Sequence, residues 1–320
     1  DLAKQLISVS DVVIENFAPG VIERLGLGYS EITRVRPEII MLSSAGLGHT
    51  GPDMNQVAYG TLIQCFTGWS SVQGYPNGLP DIGGIWTDPM VGILEVFLVN
   101  AALYQSWNTG KGQYIDLSMA EATTMLLPEL ILDYLMNGRI PQPMGNRDQT
   151  FAPHGNYPCF GTDQWIGISV TTESQWKSLC KFFDHPSLSQ DTRFDNPIKR
   201  KQNEETLDKL ISSFTETRDA LDLMEQLQNV GIAAGPALPL DEFWNDKQLR
   251  HRNFFHTYQE IQDNNISLEL PTIPWLIDGN REVRITGQPV RGQHNEYVFN
   301  EILGISQDQT HTLKDQQIIF

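Results

Sequence analysis

The sequence predicts an α/β fold, with a large domain on a parallel, doubly wound sheet and a smaller α+β domain after it. Three observations carry this. Residues 11–48 alternate strand, helix and strand patterns, the order that builds parallel sheets. Within them "EIIMLSSAG" (38–46) is almost unbroken in apolar and small residues, as expected of a strand buried on both faces. From Gly161 the texture changes to a short strand followed by charge-rich amphipathic helices.

Each element has its own signal. "DVVIEN" (11–16) is a β-branched strand that ends in polar Asn16. Pro19–Gly20 open a helical turn that glycines close, and "SEITRVRP" (30–37) adds a short helix capped by Ser30 and stopped by Pro37. Glycine and proline punctuate residues 46–89. A long helix is expected from Pro89 to about Asn108, with Val91, Leu94, Phe97, Leu98 and Ala101 at helical spacing and Gly110 as its left-handed stop. "GQYIDLSM" (112–119) is a strand. Ser118 and Glu121 then form an S-x-x-E box that opens one helix over 119–138, kinked at Pro128 and ended by Gly138. "QWIGISV" (164–170) is a strand, "ESQWKSLCKFF" (173–183) a helix, and residues 201–229 two more. "QHNEYVFNEILG" (293–304) is the last helix. The expected domains are 1–160, 161–276, and a segment 277–320 returning to the first. Asp1 is expected to lie inside the large domain, with a strand–helix unit upstream of it.

Composition narrows the function. With 22 basic against 39 acidic residues the net charge is −17, which argues against a nucleic-acid partner. An anionic ligand would need local Arg or Lys to offset that field. The apolar run Met90–Leu103 is broken by Glu95 and Asn100 and is too short to span a bilayer, so no membrane is expected. Cys65, Cys159 and Cys180 form no C-x-x-C pair and read as reduced core residues of a cytoplasmic protein. His251 and His256 lack metal-ligand spacing, and no metal is expected.

Three stretches hold candidate chemistry. "GLGHTG" (46–51) matches G-x-G-x-x-G after a strand, but Pro52 and "DMNQ" follow where a dinucleotide fold needs an apolar helix. A tight loop at the carboxyl edge of the sheet is the better reading. Asn16 and Arg24 flank the same edge, and the Arg24 fork suits a phosphate, though on pattern alone a surface ion pair is the better explanation. Asp88 precedes Pro89 and an apolar helix, the pattern of a structural N-cap. Glycines 78, 83, 84 and 92 crowd it, Trp86 is placed to wall a pocket, and a carboxylate can also act as a covalent nucleophile. Pattern alone leaves both roles open.

Together these stretches resemble the class III CoA-transferases. The resemblance is carried by "DVVIENFAPGVIERLGLGYSEI", "SSAGLGHTGP", "TDPMVGILEVFLVNAALYQSWNTGKGQYIDLSMAEA", "GNRDQTFAPHGNYPC", "DQWIGISV" and "NVGIAAGPALPLDEFWNDKQLRHRNFF", in that order. It implies a Rossmann-like large domain, a small domain and an interlocked homodimer. It further implies that Asp88 is the nucleophile, with coenzyme A as co-substrate between an acyl-CoA donor and a carboxylate acceptor. The matched CoA-contact positions are Asn16, Phe17, Arg24, Gly46 and Gly48, and Trp86, Tyr59 and His49 fall to the substrate pocket. Amides of Gly46 and Gly48, or of Gly83 and Gly84, are candidates for oxyanion stabilisation. Two departures stand out: Ala18 where the family often has Arg, and His154 in the "P-x-G-x-Y-P" block. The aromatic faces of Tyr59, Trp69, Trp86 and Trp107 suit a cationic acceptor of betaine or sulfonium type. The rival readings are an acyl-CoA racemase using His49, and a non-catalytic half of a larger enzyme.

Overall fold

The computed structural model describes residues 1–259, 266–281 and 289–320. The chain forms two compact units, Asp1–Gln149 and Thr150–Phe320.

Unit 1 is built on the expected parallel sheet. Helix α1 (Leu2–Ser8) leads into β1 (Val12–Glu15), the short helices α2 (Val21–Arg24) and α3 (Tyr29–Ile32), and then β2 (Ile40–Ala45). After α4 (Gly60–Phe66), α5 (Trp69–Val72) and α6 (Thr87–Thr109) comes β3 (Gln113–Ser118), followed by α7 (Met119–Thr124) and α8 (Pro128–Asn137). The strand order is β1-β2-β3, with Glu15 opposite Ser43 and Ala45 opposite Ser118. Every residue of central β2 is buried, which is why its run carries no alternation. Ile7, Ile22, Ile32, Ile39 and Met41 form one apolar cluster. Val91, Leu117 and Ala122 form a second, with Leu94, Leu98 and Met119 packed against it.

Several boundaries differ from expectation, each for a local reason. Helix α3 starts after Gly28, so Ser30 lies inside it and does not cap it. The helix expected over 119–138 is two: Ser118 accepts the Glu121 N–H as predicted, but the chain breaks before Pro128, whose missing N–H suits a new first turn. Gly110 and Gly138 do take left-handed C-terminal positions, at φ 68° and 66°. Helix α6 outruns Met90–Leu103 at both ends. Its 23 residues are long and apolar enough to cross a membrane by length and composition, contrary to the expectation from the shorter run. Only Thr87, Val91 and Ala102 of it are buried within the chain.

Unit 2 opens with β4 (His154–Pro158), which pairs antiparallel with β5 (Trp165–Ser169). That pairing puts the unit boundary at 149/150 rather than 160/161. Helices α9 (Glu173–Phe182), α10 (Pro197–Gln202), α11 (Glu204–Thr215) and α12 (Ala220–Asn229) precede β6 (Ala233–Pro236), which completes the sheet in the order β4-β5-β6. Trp176, Tyr157, Phe194, Ile166, Leu179 and Leu207 form its core. Arg200 is buried there: it donates to the carbonyls of Ala152 (3.0 Å) and Phe194 (3.1 Å), pairs with Glu173 and lies over the Trp176 ring. Cys159 and Cys180 are buried as expected, and burial pushes the Cys180 thiol up to about 12; Cys65, expected in the core, is instead exposed, because it falls on the outer face of α4. Helices α13 (Leu240–Trp244) and α14 (Lys247–His251), the hairpin of β7 (Phe255–Gln259) and β8 (Ser267–Pro271), a π-helical segment Glu296–Ile302 and α15 (Gln307–Asp315) follow. The segment 277–320, expected to return to the first domain, groups with unit 2.

Candidate active site

Four chain ends of unit 1 meet around a cavity of about 570 Å³. Strand β1 delivers Asn16 and Phe17, whose N–H donates to the Glu15 carboxylate at 2.8 Å. Strand β2 delivers Gly46, α4 begins beside Tyr59, and the first turns of α6 supply Asp88 and Glu95. This is the carboxyl edge of the parallel sheet, where ligands of open α/β folds bind.

Asp88 is not the N-cap. Helix α6 begins at Thr87 with Trp86 preceding it and no side-chain cap, so Asp88 is the second helical residue. Among the described residues no hydrogen bond or ion pair engages its carboxyl group, which lines the cavity. The first turn of α6 presents free N–H groups that favour negative charge nearby. On the other side stands Gly60, the first residue of α4. A Cβ at Gly60 would clash with Asp88 Oδ1 and lie 2.9 Å from its Cγ, so only glycine leaves the carboxyl group its place.

The structure therefore brings Asn16, Phe17, Gly46, Tyr59 and Asp88 together. It does not bring the other candidates. Arg24 lies on α2, its guanidinium against Gly20. Gly48 has φ +85° and faces Ser118 and Asp116. Trp86 packs edge-to-face on Trp69 with ring centroids 5.0 Å apart, and Trp69 donates to the Thr123 carbonyl at 3.2 Å. Trp107 is near the far end of α6, about 30 Å along the helix from Asp88. The Gly83 N–H is taken by Asp81 at 2.9 Å, and the Gly84 carbonyl by Gln64.

His49 is committed elsewhere. Its side chain is 8% exposed, with Nδ1 3.2 Å from Asp116 Oδ1 and Nε2 3.4 Å from Glu15 Oε1. Its backbone N–H also donates to Asp116 at 3.0 Å. One carboxylate comes from β1 and one from β3, while the imidazole follows β2, so this array ties the glycine loop across all three strands. Buried between them, the ring does not line the cavity. His154 likewise sits on β4, bonded through Nδ1 to Ser169 Oγ at 2.9 Å.

Sequence reasoning missed Gly60 and Glu95. Glu95 was visible only as an interruption of an apolar run. Its spacing of seven from Asp88, two helical turns on one face, was the usable signal.

The sequence profile of CoA-transferase family III matches residues 1–295. The succinyl-CoA–D-citramalate CoA-transferase of Chloroflexus aurantiacus is 28% identical over 99% of this chain and 79% of its own length. The acetyl-CoA:oxalate CoA-transferase of Acetobacter aceti is 31% identical over 78% of this chain and 64% of its own length. Among solved structures, a CaiB/BaiF family protein from Brucella suis superposes with a TM-score of 0.83 at 27% identity, covering 94% of this chain and 78% of that one. The chain belongs to CoA-transferase family III, whose enzymes transfer CoA between acyl-CoA thioesters and carboxylic acids.

Proposed function

We propose that Asp88 is the nucleophile through which this chain exchanges CoA between a donor thioester and an acceptor acid. The observation that carries this is the Asp88–Gly60 contact. An unpartnered carboxyl group stands at a cavity's edge, and the facing helix begins with the one residue that leaves room for it.

An Asp88 oxygen attacks the donor's thioester carbon, the C–S bond breaks, and CoA thiolate leaves a mixed anhydride behind. The thiolate then attacks the Asp88 carbonyl carbon, expelling the donor's carboxylate and forming an aspartyl-CoA thioester. The acceptor's carboxylate attacks that thioester and CoA departs again. Finally the thiolate attacks the acceptor's carbonyl and frees Asp88. No bond is hydrolysed, so no outside energy source is required. Gly46 is the glycine of the four candidates that lines the cavity, which supports its amide as the donor to a tetrahedral oxyanion in this reading. Asn16 and Phe17 are the remaining CoA contacts of this reading.

The acceptor is a carboxylic acid, and a cationic one of betaine or sulfonium type is the finer form of the reading. Its aromatic support is reduced to Tyr59, because the Trp69–Trp86 pair and Trp107 lie outside the cavity lining. The racemase alternative is less well supported, since His49, although paired with Asp116, does not line the cavity. A homodimer is supported by uncovered apolar side chains on α6 and α8, and a cytoplasmic setting by the free cysteines.

The test is to incubate the chain with acyl-CoA, reduce with borohydride and map the Asp88 peptide by mass spectrometry. Conversion of Asp88 to the alcohol, dependent on acyl-CoA and absent from Asp88→Asn, is expected. An unmodified Asp88 in a chain that still transfers CoA removes it from this role. A chain that binds no CoA supports the non-catalytic half.

A further inference from the structure

Unit 2 holds a cavity of its own, about 650 Å³, where the exit of α14 meets the start of β7 and the turn that follows β8. Arg252, Arg281, His251 and His256 line it, and no Asp or Glu does. That polarity runs against the whole chain, in which 39 acidic residues face 22 basic ones. Arg34, Arg36, Arg193 and Arg250 each pair with a carboxylate. Arg252 and Arg281 pair with none among the described residues.

Arg281 is fixed in place. Ile277 and Asn280 exchange backbone hydrogen bonds of 2.8 and 2.9 Å across a tight turn, with Asp278 and Gly279 at φ 50° and 78°. The turn delivers Arg281, which donates through Nη1 to Thr272 Oγ1 and through Nη2 to the Arg252 carbonyl, both at 3.2 Å. Its guanidinium also lies over the Phe254 ring. The Nε–H, however, is buried and has no hydrogen-bond partner among the described residues. A buried donor left unmatched is costly, and a ligand oxygen is the kind of acceptor it lacks.

The donors suit a phosphoryl group better than a carboxylate. A carboxylate carries one charge on two oxygens, and a single arginine fork satisfies it. A phosphate ester brings three terminal oxygens and nearly two charges, enough to engage both arginines and an imidazole. Buried Phe255 adds an apolar wall for the organic part, and the volume is that of a small-molecule site.

We propose that this cavity is a second ligand site, which takes the phosphoryl group of a small phosphate ester on Arg252 and Arg281. The site lies within unit 2 and does not rest on the role of Asp88. Its ligand is either a separate ester or the nucleotide end of CoA, two sources of the same chemistry.

The test is calorimetric titration of the full chain with phenyl phosphate, 3′,5′-ADP and glutarate at 0.15 M salt, where diffuse surface fields are screened beyond about 8 Å. Phenyl phosphate should bind saturably, and glutarate about tenfold more weakly or not at all. Arg252→Gln, at an exposed side chain, should weaken phenyl phosphate about tenfold. Arg281→Lys, which keeps the charge but loses the fork, should weaken it too. Arg34→Gln, which removes the same charge from an exposed position on another element, should change nothing, and neither should Asp88→Asn. A tenfold loss of 3′,5′-ADP binding in Arg252→Gln assigns the site to CoA's nucleotide, and its absence beside a loss for phenyl phosphate assigns it to a separate ester. No saturable binding of either phosphate, glutarate binding as tightly as phenyl phosphate, or binding untouched by both Arg252→Gln and Arg281→Lys overturns the proposal.

Discussion

Gly60 and Asp88 meet at a contact with no room for a methyl group, and that contact can be tested apart from the chemistry it serves. Gly60→Ala introduces a better helix former in the first turn of α4. Its Cβ must displace the exposed, flexible end of Asp88 rather than backbone, so stability should hold or rise slightly. If Asp88 is the nucleophile, as proposed, it is then moved by about an ångström or more, a shift that costs on the order of 100-fold in rate. Gly60→Ala should therefore lower kcat by about 100-fold without lowering Tm. An unchanged kcat would show that Asp88 tolerates displacement. Sequence made Asp88, Asn16, Phe17, Gly46 and Tyr59 legible, because each follows a strand end or precedes a helix start that pattern locates. It misplaced His49 and Trp86, because neighbours in sequence diverge in direction within a loop. The carboxylates of buried Glu15 and solvent-accessible Asp116, far apart in the chain, flank the His49 ring and decide where it points.

Elements were easier to read than their joints. The parallel strands and the α9, α11 and α12 helices follow periodicity and cap chemistry, and Thr172 with Gln175 forms a complete capping box on α9. What periodicity cannot show is which side chain holds one element to another. Helix α10 is fastened by Arg200, whose guanidinium satisfies two buried carbonyls belonging to other segments. Arg200→Leu keeps an apolar stem but orphans both acceptors, and it should cost about 3 kcal/mol in urea unfolding. Glu173→Gln should cost about 1 kcal/mol or less, since Glu173 is half exposed to solvent. Equal losses for the two variants would place the strength in the ion pair instead of the carbonyl contacts.

At the scale of the molecule, α6 leaves a row of large apolar side chains uncovered within the chain. Ile93, Val96, Phe97, Tyr104 and Trp107 are all exposed, Trp107 at 78%, and Leu135 and Met136 extend the same character onto α8. A second copy of the chain is the occupant that the dimer reading requires. Phe97→Glu should leave a single chain's fold intact and reduce the mass measured by light scattering from dimer to monomer. A mass already monomeric in the unaltered protein would end that reading. The array of Glu15, His49 and Asp116 bears on how the molecule is made. Its members are separated by up to about a hundred residues of chain, and each needs a different strand in place. The last strand cannot dock until α6 has been traversed, and closing so long a loop is the slow kind of folding event. The glycine loop therefore takes its working shape last, so that competence to bind substrate would report a completed sheet rather than a merely collapsed one.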